Sequence, residues 1–165
     1  MRYARGIYGP PATVSKRNNK CRVTTRFLEQ SPLPCYHMAM TKIPVNPTHA
    51  APAVGPYNIA VRVGDLLFCS GQIPLDPVTG EMVTGDIQGQ TKRVLENIKI
   101  ILSDQKLSFA NVVKATVFLT DMGDFAAVNE VYAKYFTEPY AARAAVAVSA
   151  LPKGADIEIE VMAHY

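Results

Sequence analysis

Residues 142–160 read Ala142-Arg143-Ala144-Ala145-Val146-Ala147-Val148-Ser149-Ala150-Leu151-Pro152-Lys153-Gly154-Ala155-Asp156-Ile157-Glu158-Ile159-Glu160. Two stretches of period-two alternation flank a Leu151–Gly154 turn, so the segment predicts two short strands joined as a hairpin. Alternation puts Val146 and Val148 on one face of the first strand and Arg143, Ala145 and Ala147 on the other. On the second strand Ile157, Ile159 and Val161 form the apolar set, and Glu158 and Glu160 oppose it. If both apolar sets face one core, Arg143 and Glu158 share the opposite face with only alanines between them. A guanidinium fork, a carboxylate and small residues on one face suit a small organic acid. The same spacing suits a cross-strand salt bridge from Arg143 to Glu158 or Glu160, and alternation alone also allows Glu158 to be an exposed strand carboxylate.

Outward from this segment the chain alternates strands and helices. Tyr57–Val63 and Leu66–Ser70 predict a hairpin about Gly64-Asp65. Asp76-Pro77-Val78-Thr79-Gly80 is a turn. Asp86 is placed to cap a helix running to about Ser103, with Ile87, Thr91, Val94, Leu95, Ile98, Ile101 and Leu102 on its buried stripe. Lys92, Arg93, Glu96 and Lys99 then lie on its solvated side. Val112–Leu119 predicts a strand with Val113, Ala115, Val117 and Leu119 inward and Lys114, Thr116 and Phe118 outward. Gly123-Asp124 opens a second helix whose Phe125, Val128, Tyr132, Tyr135 and Phe136 read as core aromatics and aliphatics, with Pro139 as its stop. The order β-β-α-β-α-β-β predicts an α+β domain: a mixed β-sheet with two helices packed on one face. The uncovered face, with Phe118, Ala145 and Ala147 beside Arg143, Glu158 and Glu160, predicts contact with other subunits.

Composition narrows the function classes. The chain has 165 residues and a net charge of +3. The charge is unevenly spread. Residues 1–42 hold eight Lys or Arg and the single acid Glu29, whereas residues 43–165 hold nine basic and thirteen acidic residues. The domain is therefore mildly acidic, which disfavours nucleic acid as a partner. No apolar run is long enough to span a membrane. Cys21, Cys35 and Cys69 form no metal-ligand spacing, and His37, His49 and His164 are scattered, so no metal and no cofactor are expected. Ser70-Gly71-Gln72 lacks a nucleophile elbow. Residues 1–42, basic and rich in proline, predict a disordered or transit-type extension preceding a domain at 43–165. Import into mitochondria is the expectation, with a cytoplasmic protein as the alternative.

Several stretches together resemble one family. Ala51-Pro52-Ala53-Val54-Gly55-Pro56-Tyr57 is similar to its A-P-A-x-G-P-Y opening, and Phe68-Cys69-Ser70-Gly71-Gln72-Ile73-Pro74 to its S-G-Q-I-P corner. Val113-Lys114-Ala115-Thr116-Val117-Phe118-Leu119-Thr120-Asp121-Met122 is similar to V-K-T-T-V-F-L-x-D-M. Asp124–Tyr132, Ala142-Arg143, Leu151-Pro152-Lys153-Gly154 and Ile157–Glu160 complete the likeness. In register over about residues 48–163, the chain resembles the reactive-intermediate imine deaminases, RidA- or YjgF-like.

The resemblance implies the YjgF-like (chorismate-mutase-like) fold and a homotrimer with sites at subunit interfaces. It implies hydrolysis of 2-imino acids or their enamines, released by pyridoxal-phosphate dehydratases, to 2-keto acids and ammonia. Arg143 would bind the substrate carboxylate, and Glu158 would orient the attacking water. Tyr57, Ser70, Gly71, Asn129 and Ala145 match pocket positions. The chain departs from the common pattern at Ala145, where many members have cysteine, at Ala141, often proline, and at Asn58, often serine. Two other classes remain: a noncatalytic 2-keto-acid-binding or chaperone-like trimer, and an endoribonuclease.

Overall fold

The computed structural model describes residues 41–53 and 55–165, together with the backbone of two short N-terminal segments, Val14–Arg17 and Lys20–Val23. The chain divides into two units, Met1–Ala39 and Met40–Tyr165. In the first, β1 (Val14–Arg17) and β2 (Lys20–Val23) pair antiparallel, with Val14 opposite Val23 and Arg17 opposite Lys20. The sequence predicts no strand here, so this ladder adds to that expectation. The import-type extension otherwise lies outside the described residues.

The second unit carries strands β3 (Ile43–Val45), β4 (Ala60–Val63), β5 (Leu66–Gln72), β6 (Val112–Leu119), β7 (Ala142–Ala147) and β8 (Ile157–His164), with helices α1 (Ile87–Asp104) and α2 (Phe125–Tyr132). The six strands form one sheet in the order β3-β4-β5-β8-β6-β7. Only β6 and β7 run parallel, as expected for two strands joined through a helix. Both helices lie on one face. Ile157, Ile159, Val161 and Ala163 of β8 are buried beneath them, while Glu158, Glu160, Met162 and His164 point to the other face.

Helix α1 forms as predicted. The Asp86 carboxylate accepts a hydrogen bond from the Gly89 amide at 2.7 Å, and Val94, Leu95, Ile98, Ile101 and Leu102 are wholly buried. Helix α2 stops at Tyr132, before the expected Pro139. The Lys134 and Tyr135 amides reach back three residues, to the carbonyls of Val131 and Tyr132 (3.0 Å each), and Phe136 folds onto Tyr132 with ring centroids 4.0 Å apart. Tyr57 precedes β4 and stands exposed in a bend. A bulge between Val112 and Lys114 gives Val112 the core position predicted for Val113, which is exposed.

The largest correction concerns residues 142–160. β7 and β8 do not pair; β6 lies between them. The connection at 148–156 steps over the end of β6, pinned by Val148 N to Leu119 O (2.8 Å) and Thr120 N to Asp156 O (3.1 Å). The two strands also turn different faces inward. Arg143 aligns with Ala115 and Ala145 with Val117, both core positions of β6, so Arg143 and Ala145 lie on the helix side. Val146 aligns with Phe118 on the other side and is exposed. Glu158 also aligns with Phe118, and Glu160 with Thr116. Within one chain, Arg143 and Glu158 are therefore on opposite faces of the sheet. Alternation separates two faces without naming the inward one, and here the pairing with β6 names it.

Candidate functional site

A cavity of about 510 Å³ opens beside Glu158 and Glu160. Tyr57, Ser70, Gly71 and Glu158 all line it, so four of the expected residues meet there. Their meeting depends on a bulge. Cys69 pairs with Val161 and Gln72 with Ile159, so Ser70 and Gly71 together face the single residue Glu160. The extra residue brings the Gly71 backbone against the Glu158 side chain. A Cβ at position 71 would overlap the Glu158 carboxylate and lie 2.7 Å from its Cδ. The backbone of Gly71 is not in the left-handed region, so the obstacle to a side chain here is the Glu158 carboxylate and not the backbone.

Polar side chains fix the cavity walls. The Ser70 hydroxyl donates to the Asn58 carbonyl at 2.7 Å, and Asn46 accepts from the Ile59 amide at 2.9 Å. The hydroxyl proton of Ser70 is thus committed to holding the chain that carries Tyr57. From the helix layer, buried Asn97 donates to Leu75 O (2.8 Å) and Ile73 O (3.3 Å), and Gln90 donates to the Asp156 carboxylate at 2.7 Å. Gln90 and Asn97 hold the start of β8 and the corner after β5. Both stand in the buried stripe of α1, seven residues apart. Two amides at that spacing inside an apolar stripe are a legible signal that sequence reasoning passed over.

Glu158 is half-buried and makes no hydrogen bond or ion pair among the described residues. Burial raises its pKa above the ordinary carboxylate range, and the neighbouring Glu160 carboxylate adds to that rise. Glu160 and Lys153 also line the cavity, neither singled out as a pocket residue beforehand. Cys69 is buried in the core, its thiol pushed up to about 12 by burial, in keeping with a small core residue.

Arg143, Asn129 and Ala145 stand apart from this cavity. The Arg143 guanidinium lies over the Tyr132 ring at 4.7 Å and near the Phe125 ring at 5.4 Å. No carboxylate pairs with it among the described residues, so the cross-strand salt bridge to Glu158 or Glu160 does not form. Asn129 is one helical turn from both Phe125 and Tyr132, and Ala145 follows Arg143 on the same face of β7. The expected residues thus fall into two clusters, an acidic cavity and a cationic ledge, on opposite sides of the sheet. No group of three or more His, Cys, Asp or Glu poised for a metal occurs among the described residues. No helix there is long and apolar enough to cross a membrane.

Replacing Gly71 separates position from folding. The overlapping atoms end a flexible side chain, so Gly71→Ala should shift the Glu158 carboxylate at a stability cost of roughly 1 kcal/mol or less. Where Glu158 serves a reaction at the cavity, the rate should fall about 100-fold, the loss expected from an ångström-scale misplacement. A melting curve and a rate on the same sample separate the two.

Residues 48–165 match the family model described as endoribonuclease L-PSP. The 2-iminobutanoate/2-iminopropanoate deaminase of Capra hircus is 46% identical over 119 residues, 72% of this chain and 87% of that protein. The solved structure of RidA from an Antarctic Psychrobacter is 45% identical, with a TM-score of 0.71 over 73% of this chain and 98% of that one. E. coli TdcF, solved with bound serine, is 42% identical, with a TM-score of 0.71 over 75% of this chain and 99% of that one. With the sheet order, the bulge at Ser70-Gly71 and the position of Arg143 in place, the chain belongs to the endoribonuclease L-PSP family, that of the RidA- and YjgF-like proteins.

Proposed function

We propose that this protein hydrolyses small 2-imino acids to 2-keto acids and ammonia, at sites each completed by two copies of the chain in a homotrimer. The observation that carries this reading is the separation of two unsatisfied groups. Among the described residues, Arg143 presents a cation without an acidic partner on one side of the sheet, and Glu158 presents a carboxylate without a donor on the other. Neither side chain can meet the other's ligand within one chain. A neighbour that brings its ledge to the cavity supplies both to one small molecule. The helix-free face has the apolar surface for such a contact: Phe68, opposite Met162 in the ladder, and Val146 are all exposed.

The chemistry suits these groups. Arg143 holds the substrate carboxylate through its two-pronged fork. An iminium carbon is already electrophilic, so water needs placement more than a strong base. Glu158 holds that water over the carbon and takes its proton as the C–O bond forms. The proton then goes to nitrogen; as the C–N bond breaks, the hydroxyl gives its proton back to Glu158, the C=O bond of the 2-keto acid forms, and ammonia leaves, carrying that proton off as ammonium. The relatives named as deaminases support this reading, and serine bound to TdcF supports a pocket of amino-acid size. The endoribonuclease alternative fares worse, because Glu158 and Glu160 in the cavity repel a phosphate backbone and no histidine lines it among the described residues.

The test is a coupled assay in which pure protein is added to a threonine dehydratase. Release of 2-ketobutyrate and ammonia should accelerate. Binding of 2-ketobutyrate without any acceleration would favour the noncatalytic reading. The pH dependence follows from Glu158. Its ionised form accepts the proton, so the rate falls as pH drops through a pKa that lies above the usual glutamate range. Glu160→Gln removes the like charge and should move this acid limb down. It should not reach the ordinary position, because burial is the larger cause.

A further inference from the structure

The structure assigns Tyr132 as the residue that positions Arg143: its ring is a neutral platform that holds the guanidinium without consuming its charge or its N–H donors. The inference rests on the reading of Arg143 as the carboxylate grip and extends it to a residue that reads from sequence as core alone. Arg143 sits on β7, an edge strand, and is exposed, so its side chain has freedom to lose. The usual device for holding an arginine is a carboxylate, which would cancel the charge and occupy the fork. Here the guanidinium lies 4.7 Å over Tyr132 and 5.4 Å from the Phe125 centroid, with no acid in range among the described residues. A π face attracts the cation while its in-plane donors stay available.

Tyr132 is suited to be the fixed member of the pair. It is 8% exposed. Phe136 covers one face in a parallel stack at 4.0 Å and 5°, leaving the other for the guanidinium. Phe109 braces Phe136 edge-on at 4.9 Å. Phe136 lies one turn beyond Tyr132, and its amide donates to the Tyr132 carbonyl at 3.1 Å, so the two rings meet as a pair four residues apart. The Tyr132 hydroxyl is buried without a hydrogen-bond partner among the described residues. Burial pushes its pKa to about 12, so the ring stays uncharged and forms no ion pair with Arg143.

The test compares Tyr132→Leu, Tyr132→Met and Tyr132→Phe with wild type in two measurements. The first is the NMR signal of the Arg143 side-chain Nε–H in the intact protein, which needs no activity. In wild type it should show the upfield ring-current shift of a group above an aromatic face. Leu or Met should remove that shift, and Phe should keep it. The second is the imine assay. Leu or Met should raise KM roughly tenfold with a smaller change in kcat, and Phe should restore the wild-type KM. Met is unbranched and adaptable enough to fill an irregular gap, and serves if Leu does not fold. Should wild type fail to accelerate the dehydratase, the functional proposal falls while the NMR measurement still decides the platform. An Arg143 signal indifferent to Leu and Met, or a Phe variant as impaired as Leu, overturns the inference.

Discussion

Arg143→Ala should remove the acceleration of imine hydrolysis, lowering kcat/KM by at least about 100-fold, while the protein keeps its fold and its oligomeric state. The size follows from the two charge-assisted hydrogen bonds that a guanidinium fork gives a carboxylate, each worth about 1.5–3 kcal/mol. Retention of the fold follows from the surroundings of Arg143. It is exposed, pairs with no acid among the described residues, and rests on rings that stay packed without it. Its loss should cost less than about 1 kcal/mol of stability. Melting temperature, size-exclusion mass and the coupled rate, taken on one preparation, check all three parts. Full activity in this variant would refute the role given to Arg143.

Mixing two dead variants should restore activity. If each site takes Arg143 from one subunit and Glu158 from the next, a ring of three containing both Arg143→Ala and Glu158→Ala subunits has one intact site. This holds whether the ring contains two of one variant or two of the other. Random exchange of equal amounts places about three quarters of the rings in the mixed class, so activity should recover to roughly one quarter of wild type. A site built within single chains would recover nothing, because every chain then lacks one of its two groups. The experiment requires unfolding and refolding the mixture together, with each variant refolded alone as the control. Recovery of that size would locate the two groups on different chains independently of the fold argument.

Much of the fold was legible because the physics that writes it is local. The helix from Ile87 shows its buried stripe as a 3.6-residue period and its start as a capping aspartate, and both are present. Val112–Leu119 and Ile157–His164 show strands by alternation. The Gly64-Asp65 turn joins β4 to β5, with Gly64 at φ 59°, where glycine has no steric penalty. Less of the site was legible. Tyr57, Ser70, Gly71 and Glu158 come together as the motifs led one to expect, but Arg143 does not join them in one chain. Val146 and Val148 look like the inward pair beside alanines, because transfer free energy favours burying valine. The register with β6 sends Val146 outward regardless, and Arg143 inward onto the aromatic residues of α2.

By itself the amino-acid order determined which stretches are strands and helices and that the domain is acidic, and it singled out an arginine, a glutamate and a glycine-bearing corner as the candidates for its chemistry. Periodicity, capping and composition act between residues close in the chain, so they can be read along it. Tertiary structure decided that β6 separates β7 from β8, that Arg143 and Glu158 face opposite ways, and that a bulge at Ser70-Gly71 admits the Glu158 carboxylate. These depend on hydrogen-bond register between strands distant in sequence. A shift of one residue there reverses every side chain while leaving the local pattern unchanged.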